Sequence, residues 1–166
     1  DDKSREAVRT PMQWSRERNG GFSDAAPSRL PAQLPGDGYA PEHVNVADQI
    51  EDRDSLLHFV RDLIARYRIS PELGWGTFEV IEHDVPAVLV HRLTAEVGTM
   101  VVVHNFADVP ATISFALPDE PDGTQLVDLL AADRMPLGEM GRIGMEIAPY
   151  GFRWLRVSRP GDGRVS

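Results

Sequence analysis

Two spacings of apolar residues divide the chain. Leu56, Leu57, Val60, Leu63, Ile64 and Tyr67 recur at steps of three and four, so they line one face of an amphipathic helix. Asp54 or Ser55 can cap its start, Arg61, Arg66 and Arg68 fall late where cations favour the helix dipole, and Pro71 stops it. The spacing predicts a helix over about residues 54–68. After Gly74 the step drops to two, in short runs rich in β-branched and aromatic residues: Thr77–Ile81, Ala87–Leu93, Thr99–Asn105, Ala111–Leu117, Gln125–Leu129, Ile143–Ile147 and Phe152–Val157. His83–Pro86, Ala107–Pro110, Pro118–Gly123 and Pro149–Gly151 supply the turns between them. The fold class this implies is mainly β with a small α part: an antiparallel β-sandwich of seven to eight strands, preceded by a long loop and one amphipathic helix.

Residues 1–45 show little periodicity and are dense in turn formers, among them Gly20-Gly21, Pro31, Pro35-Gly36-Asp37-Gly38 and Pro41. A loop of that length inside a compact domain is either functional or held by something else. The organisation read from these patterns is residues 1–70 as loop plus helix, 71–158 as the sandwich domain and 159–166 as a tail or linker around Pro160-Gly161-Asp162-Gly163.

Composition narrows the function. The hydrophobic fraction is 42%, enough to bury a core, and the formal charge is −9, which repels nucleic acid and anionic membrane surfaces but leaves a neutral sugar unaffected. No apolar run approaches a membrane span, Asp1–Glu6 carries no signal-peptide core, and the absence of cysteine removes thiolate chemistry; the expectation is a cytoplasmic chain with no cofactor.

Several groups imitate catalytic signatures. Glu82-His83-Asp84 sets two carboxylates beside an imidazole, but neighbours in a hairpin turn diverge and cannot converge on one substrate atom. His91 and His104 lie in strand patterns without a third ligand at a metal-site spacing, so no metal site is expected. Gly138–Gly141 lacks the lysine and following helix of a phosphate loop, and Glu51, Asp52 and Asp54 suit a solvated helix entry. The chemically suggestive stretch is Ala7–Ser15 with Arg18–Ser23, where Arg9, Gln13 and Trp14 share non-repetitive backbone. Planar donors for hydroxyls and an indole plate for a pyranose ring suit a sugar; Trp14 and Phe22 can equally be plugs that anchor the loop.

Arg9-Thr10-Pro11-Met12-Gln13-Trp14, continued by Asn19, Gly21 and Phe22, resembles the segment that follows the last catalytic aspartate in the α-amylase superfamily, in the branch of trehalose synthases, oligo-α-1,6-glucosidases and sucrose isomerases. Val44-Asn45-Val46 with Gln49 and Asp54–Leu57 resembles the approach to the last barrel helix, Gly76-Thr77-Phe78 the entry to the C-terminal sandwich, and Ala148–Trp154 the closing strand of trehalose synthases in particular. The resemblance implies that residues 1–70 are the end of a catalytic (β/α)8 barrel and 71–158 its C-terminal domain. It also implies glycoside-hydrolase chemistry in a parent enzyme that interconverts maltose and trehalose.

That chemistry needs carboxyl groups on barrel strands upstream; no Gly-x-Arg-x-Asp or Asn-His-Asp motif occurs here, so no catalytic residue is assigned and the chain alone is expected to be inactive. Arg9 is the first candidate for contact with the second glucose, with Gln13 and Trp14 as further substrate-binding candidates or braces of the loop. Maltose and trehalose are partners only together with a barrel, and the face of Leu56, Leu57, Val60, Leu63, Ile64 and Tyr67 is expected to mediate self-association or to seat on a barrel partner. An α-glucosidase or sucrose-isomerase parent, and a free-standing carbohydrate-binding or interaction sandwich, remain the alternatives.

Overall fold

The computed structural model describes residues 9–163. Ala7, Val8 and the first and last residues of the 1–70 and 159–166 segments lie outside that range. By its internal contacts the chain forms two compact units, Asp1–Ile64 and Ala65–Ser166.

The first unit is built from turns. Short 3-10 turns at Arg18–Gly21, Pro27–Arg29 and Asp37–Tyr39 lead to helix α1, Val46–Glu51, which the sequence pattern did not predict. Asn45 caps it: the side-chain oxygen accepts from the Asp48 amide at 2.9 Å, while its amide nitrogen donates to the Pro41 carbonyl at 2.9 Å. Helix α2, Leu56–Arg68, starts at the expected place. Ser55 Oγ accepts from the His58 amide at 3.4 Å, and Gln49 Oε1 accepts from the Leu57 amide at 3.1 Å. No residue of α2 is buried, so its apolar face stands largely in solvent.

The second unit holds helix α3, Glu72–Trp75, and eight strands: β1 Thr77–Val80, β2 Val88–Ala95, β3 Gly98–Asn105, β4 Ala111–Ala116, β5 Gln125–Asp128, β6 Arg134–Pro136, β7 Arg142–Ile147 and β8 Phe152–Ser158. Every pairing is antiparallel. A six-stranded sheet runs β1-β2-β3-β8-β5-β6, and β4 pairs with β7 in a second sheet. The chain therefore changes sheets after β3, β4, β6 and β7, which places β8 between β3 and β5.

Alternation decides what lies between the sheets. On β4, Ala111, Ile113 and Phe115 are buried while Thr112 and Ser114 are exposed. They meet Ile143 and Ile147 of β7 and Val90, Val101, Val103, Leu126 and Leu155 of the large sheet in one core. Each fully buried side chain of this kind contributes roughly 1.5–3 kcal/mol relative to exposure. β3 departs from alternation: Met100, Val101, Val102 and Val103 are all buried, and α3 packs against β2 and β3.

Candidate sugar-facing segment

The Arg9–Trp14 stretch is fixed by a turn that folds back on it. Asn19, Gly20 and Gly21 all have positive φ (53°, 65° and 69°), a left-handed run that needs glycine where backbones touch. A Cβ on Gly20 would lie 3.3 Å from Gln13 Cα, and one on Gly21 would lie 2.6 Å from Ser15 Oγ. The Gly20 carbonyl accepts from the amides of Trp14 at 2.7 Å and Ser15 at 3.1 Å. Asn19, which is buried, donates its side-chain amide to the carbonyls of Ser23 at 2.6 Å and Ala25 at 2.8 Å, satisfying the loop's interior.

The far side of the segment is held by α1. The Gln13 carbonyl accepts from the Val46 amide and the Trp14 carbonyl from the Ala47 amide, both at 3.0 Å, so two first-turn donors that a helix leaves open are used by this loop. Arg16 Nε donates to both carboxylate oxygens of Asp48, at 3.2 and 2.9 Å. That guanidinium, with the Asn45 amide, holds the Asp48 carboxyl below its ordinary range.

The three candidates separate by role. Gln13 donates its side-chain amide to the carbonyls of Tyr39 at 3.2 Å and Val44 at 2.6 Å, so its donors brace the loop. Its Oε1 is buried without a hydrogen-bond partner, and the residue lines a cleft of about 230 Å³ with Thr10, Pro35, Asn45 and Gln49. Trp14 exposes 52% of its surface while its backbone is bonded on both sides. Arg9 is exposed. Asn19 and Asn45 belong to the motifs that carry the resemblance, but their bracing roles and the Arg16–Asp48 pair were not read from the sequence, although Asn before Gly-Gly is a signal for left-handed backbone.

His83 Nδ1 accepts from the Val85 amide at 3.2 Å, which ties the imidazole to its own turn instead of to Glu82 and Asp84. His91 and His104 stack with ring centroids 5.9 Å apart and planes 6° from parallel, with Phe78 beside His91 and with Phe106 and Phe152 beside His104. Burial lowers both imidazole pKa values, and the neighbouring His104 adds to the lowering at His91. Among the described residues no group of three potential ligands is close enough to hold a metal ion, and no helix is long and apolar enough to cross a membrane.

The α-amylase catalytic-domain model matches residues 1–76, and the model for the C-terminal domain of sucrose-hydrolase-like proteins matches residues 98–156. The chain belongs to the α-amylase superfamily. It is 36% identical over 164 residues to the trehalose synthase of Pimelobacter sp. (strain R48), covering 94% of this chain and 28% of that protein. It is 34% identical over 161 residues to the trehalose synthase/amylase TreS of Mycobacterium tuberculosis, covering 93% of this chain and 26% of that protein. Its fold superposes on the trehalulose synthase MutB from Pseudomonas mesoacidophila MX-45 with a TM-score of 0.67 at 26% identity, over 93% of this chain and 26% of that one. The chain thus spans little more than a quarter of the length of these superfamily members and corresponds to a C-terminal portion of a trehalose-synthase-like enzyme.

Proposed function

We propose that this chain forms one wall of the sugar pocket, and the C-terminal sandwich, of an α-glucosyl-transferring enzyme that interconverts maltose and trehalose. The carrying observation is the doubly held Arg9–Trp14 segment: the Asn19–Gly21 turn pins it on one side and the α1 amides on the other, leaving Arg9 and half of Trp14 exposed. A rigid backbone that presents a guanidinium and an indole suits a pocket wall, because positioning groups act only when held in place. The nucleophile and acid of a retaining mechanism, two carboxyls about 5 Å apart, belong to barrel strands in this reading. The α2 face would rest on that barrel or on a second copy of the chain.

The test is to join this chain to the barrel portion of the Pimelobacter trehalose synthase in place of that enzyme's own C-terminal portion. The fusion should form trehalose from maltose, the 166-residue chain alone should not, and Arg9→Ala should lower kcat/KM of the fusion. Turnover by the purified chain alone would overturn the reading. The likeness to a trehalulose synthase favours one second reading, a sucrose-isomerase or α-glucosidase parent. Assaying the fusion on maltose and on sucrose separates the two.

A further inference from the structure

Trp75 exposes 88% of its surface, more than any other large apolar side chain among the described residues. An indole left in water forgoes the burial that makes aromatic residues valuable, so its display calls for a use. The backbone that carries it is anchored on both sides. Before it, Glu72 is fully buried and lies 3.7 Å from Arg156 of β8. The Trp75 amide donates to the Pro71 carbonyl at 2.9 Å and the Gly76 amide to the Glu72 carbonyl at 3.0 Å. After it, a Cβ on Gly76 would lie 2.5 Å from the Glu72 oxygen and 3.0 Å from Leu93 Cβ, so the chain presses on β2 there and enters β1 at once.

The indole borders an open cleft of about 500 Å³ lined by Pro71, Thr77, Thr94, Ala95, Glu96 and Val97, a size within the range of small-ligand sites. Thr77 and Thr94 are direct cross-strand partners, which puts their side chains on one face of the sheet about 5 Å apart at Cβ. Each hydroxyl can donate and accept, and the Glu96 carboxylate accepts.

We infer that Trp75, the Thr77–Thr94 pair and Glu96 form a surface subsite for a neutral glycan. The apolar C–H face of a pyranose stacks on the indole while its hydroxyls bond to the threonines and the carboxylate. Glu96 and the chain's charge of −9 disfavour an anionic glycan or a phosphate. The anchored backbone lowers the ordering cost of binding, since the platform does not move to meet its ligand. All of these residues lie within positions 71–97, so the subsite does not depend on which sugar the complete enzyme transforms.

The test is titration of the 166-residue chain with maltoheptaose and with cellohexaose, followed by tryptophan fluorescence and by the indole N–H signals in NMR. At least one of the two should bind and perturb the Trp75 indole, and the linkage preferred identifies the glycan class. Trp75→Ala should weaken binding at least about tenfold with an unchanged far-ultraviolet circular dichroism spectrum, as truncation of a central tryptophan contact does. Trp75→Tyr should retain binding and Thr94→Val should weaken it. No binding of either sugar at millimolar concentration, or binding that survives Trp75→Ala, overturns the inference. So does binding lost only in Trp14→Ala. The fusion assay described above reads the enzymatic proposal independently, because a chain that fails to bind maltoheptaose can still support turnover.

Discussion

The Glu72 carboxylate lies 3.7 Å from the guanidinium of Arg156, with the two side chains only 0% and 3% exposed. The pair ties the segment ahead of β1 to β8, and Arg156 also donates to Ser70 Oγ at 3.0 Å. Removing one charge leaves the other buried and uncompensated, which typically costs about 3–5 kcal/mol, whereas replacing both by apolar groups can be close to neutral. Glu72→Leu and Arg156→Met are therefore each expected to lower the urea midpoint strongly, and the double variant to recover much of the loss. A double variant as unstable as the sum of the singles would show that the two side chains act separately.

The stacked His91 and His104 predict a pH dependence. Burial holds both folded-state pKa values below the ordinary 6.5, so the unfolded chain binds protons more readily than the folded one. Their contribution to stability is complete above 6.5 and is lost as pH falls through that value toward the depressed folded-state pKa. His91 Nδ1 is buried with no hydrogen-bond partner, and Phe78, Phe106 and Phe152 around the stack offer no acceptor for an added proton. Denaturation midpoints measured from neutral to acid pH should fall less steeply in His91→Phe/His104→Phe than in the wild type; equal slopes would remove these histidines from the acid response.

Asn105 closes the end of the sandwich. Its side-chain amide donates to the carbonyls of Val109 at 2.8 Å and Ala148 at 3.0 Å, and its oxygen accepts from the Ala107 amide at 3.0 Å. Asn105 is itself buried, and Asn105→Ala would remove all three bonds at a cost of about 1–3 kcal/mol. Asn105→Asp would keep the acceptor and lose the donor, so both variants should be destabilised to a similar degree. Thermal unfolding checks this, and an unchanged midpoint for Asn105→Ala would contradict the bridging role.

Most of the second unit could be read from alternation. Seven of the eight strands lie where period-two runs predict them, because residues such as Ala111, Ile113 and Phe115 must all face one core. β6 was not legible: Arg134–Pro136 is three residues long, contains a proline and pairs only with β5. The placement of β8 between β3 and β5 follows from long-range pairing that no local pattern encodes. α1 and α3 are too short to show a helical period, and the burial of Glu72 runs against its residue type. In the candidate segment the residue types of Arg9, Gln13 and Trp14 were visible. That the Gln13 amide braces the Tyr39 and Val44 carbonyls was not, since those contacts span 26 and 31 residues.

Helix α2 is amphipathic. Its period-3.6 face is real, yet no residue of the helix is buried, and Leu56, Val60, Ile64 and Tyr67 are between 41% and 68% exposed. Fully burying such side chains yields roughly 1.5–3 kcal/mol each, so a covering partner would gain several kcal/mol from this face alone. Single exposed apolar residues are ordinary, but four on one helical stripe form a patch that favours association. Leu63 lies on that face outside the sandwich core, so Leu63→Asp should disrupt association without touching the strands. Light scattering across a concentration series should show the wild-type chain self-associating, or forming a complex with the supplied barrel portion of the Pimelobacter enzyme. The same measurement on Leu63→Asp should give a monomer that captures no barrel, while the unfolding free energy of its sandwich in urea stays within about 0.5 kcal/mol of wild type, as for a surface substitution. A wild-type chain that remains monomeric at high concentration and captures no barrel would refute the docking role of α2, and a Leu63→Asp chain that loses its sandwich would refute the independence of the two.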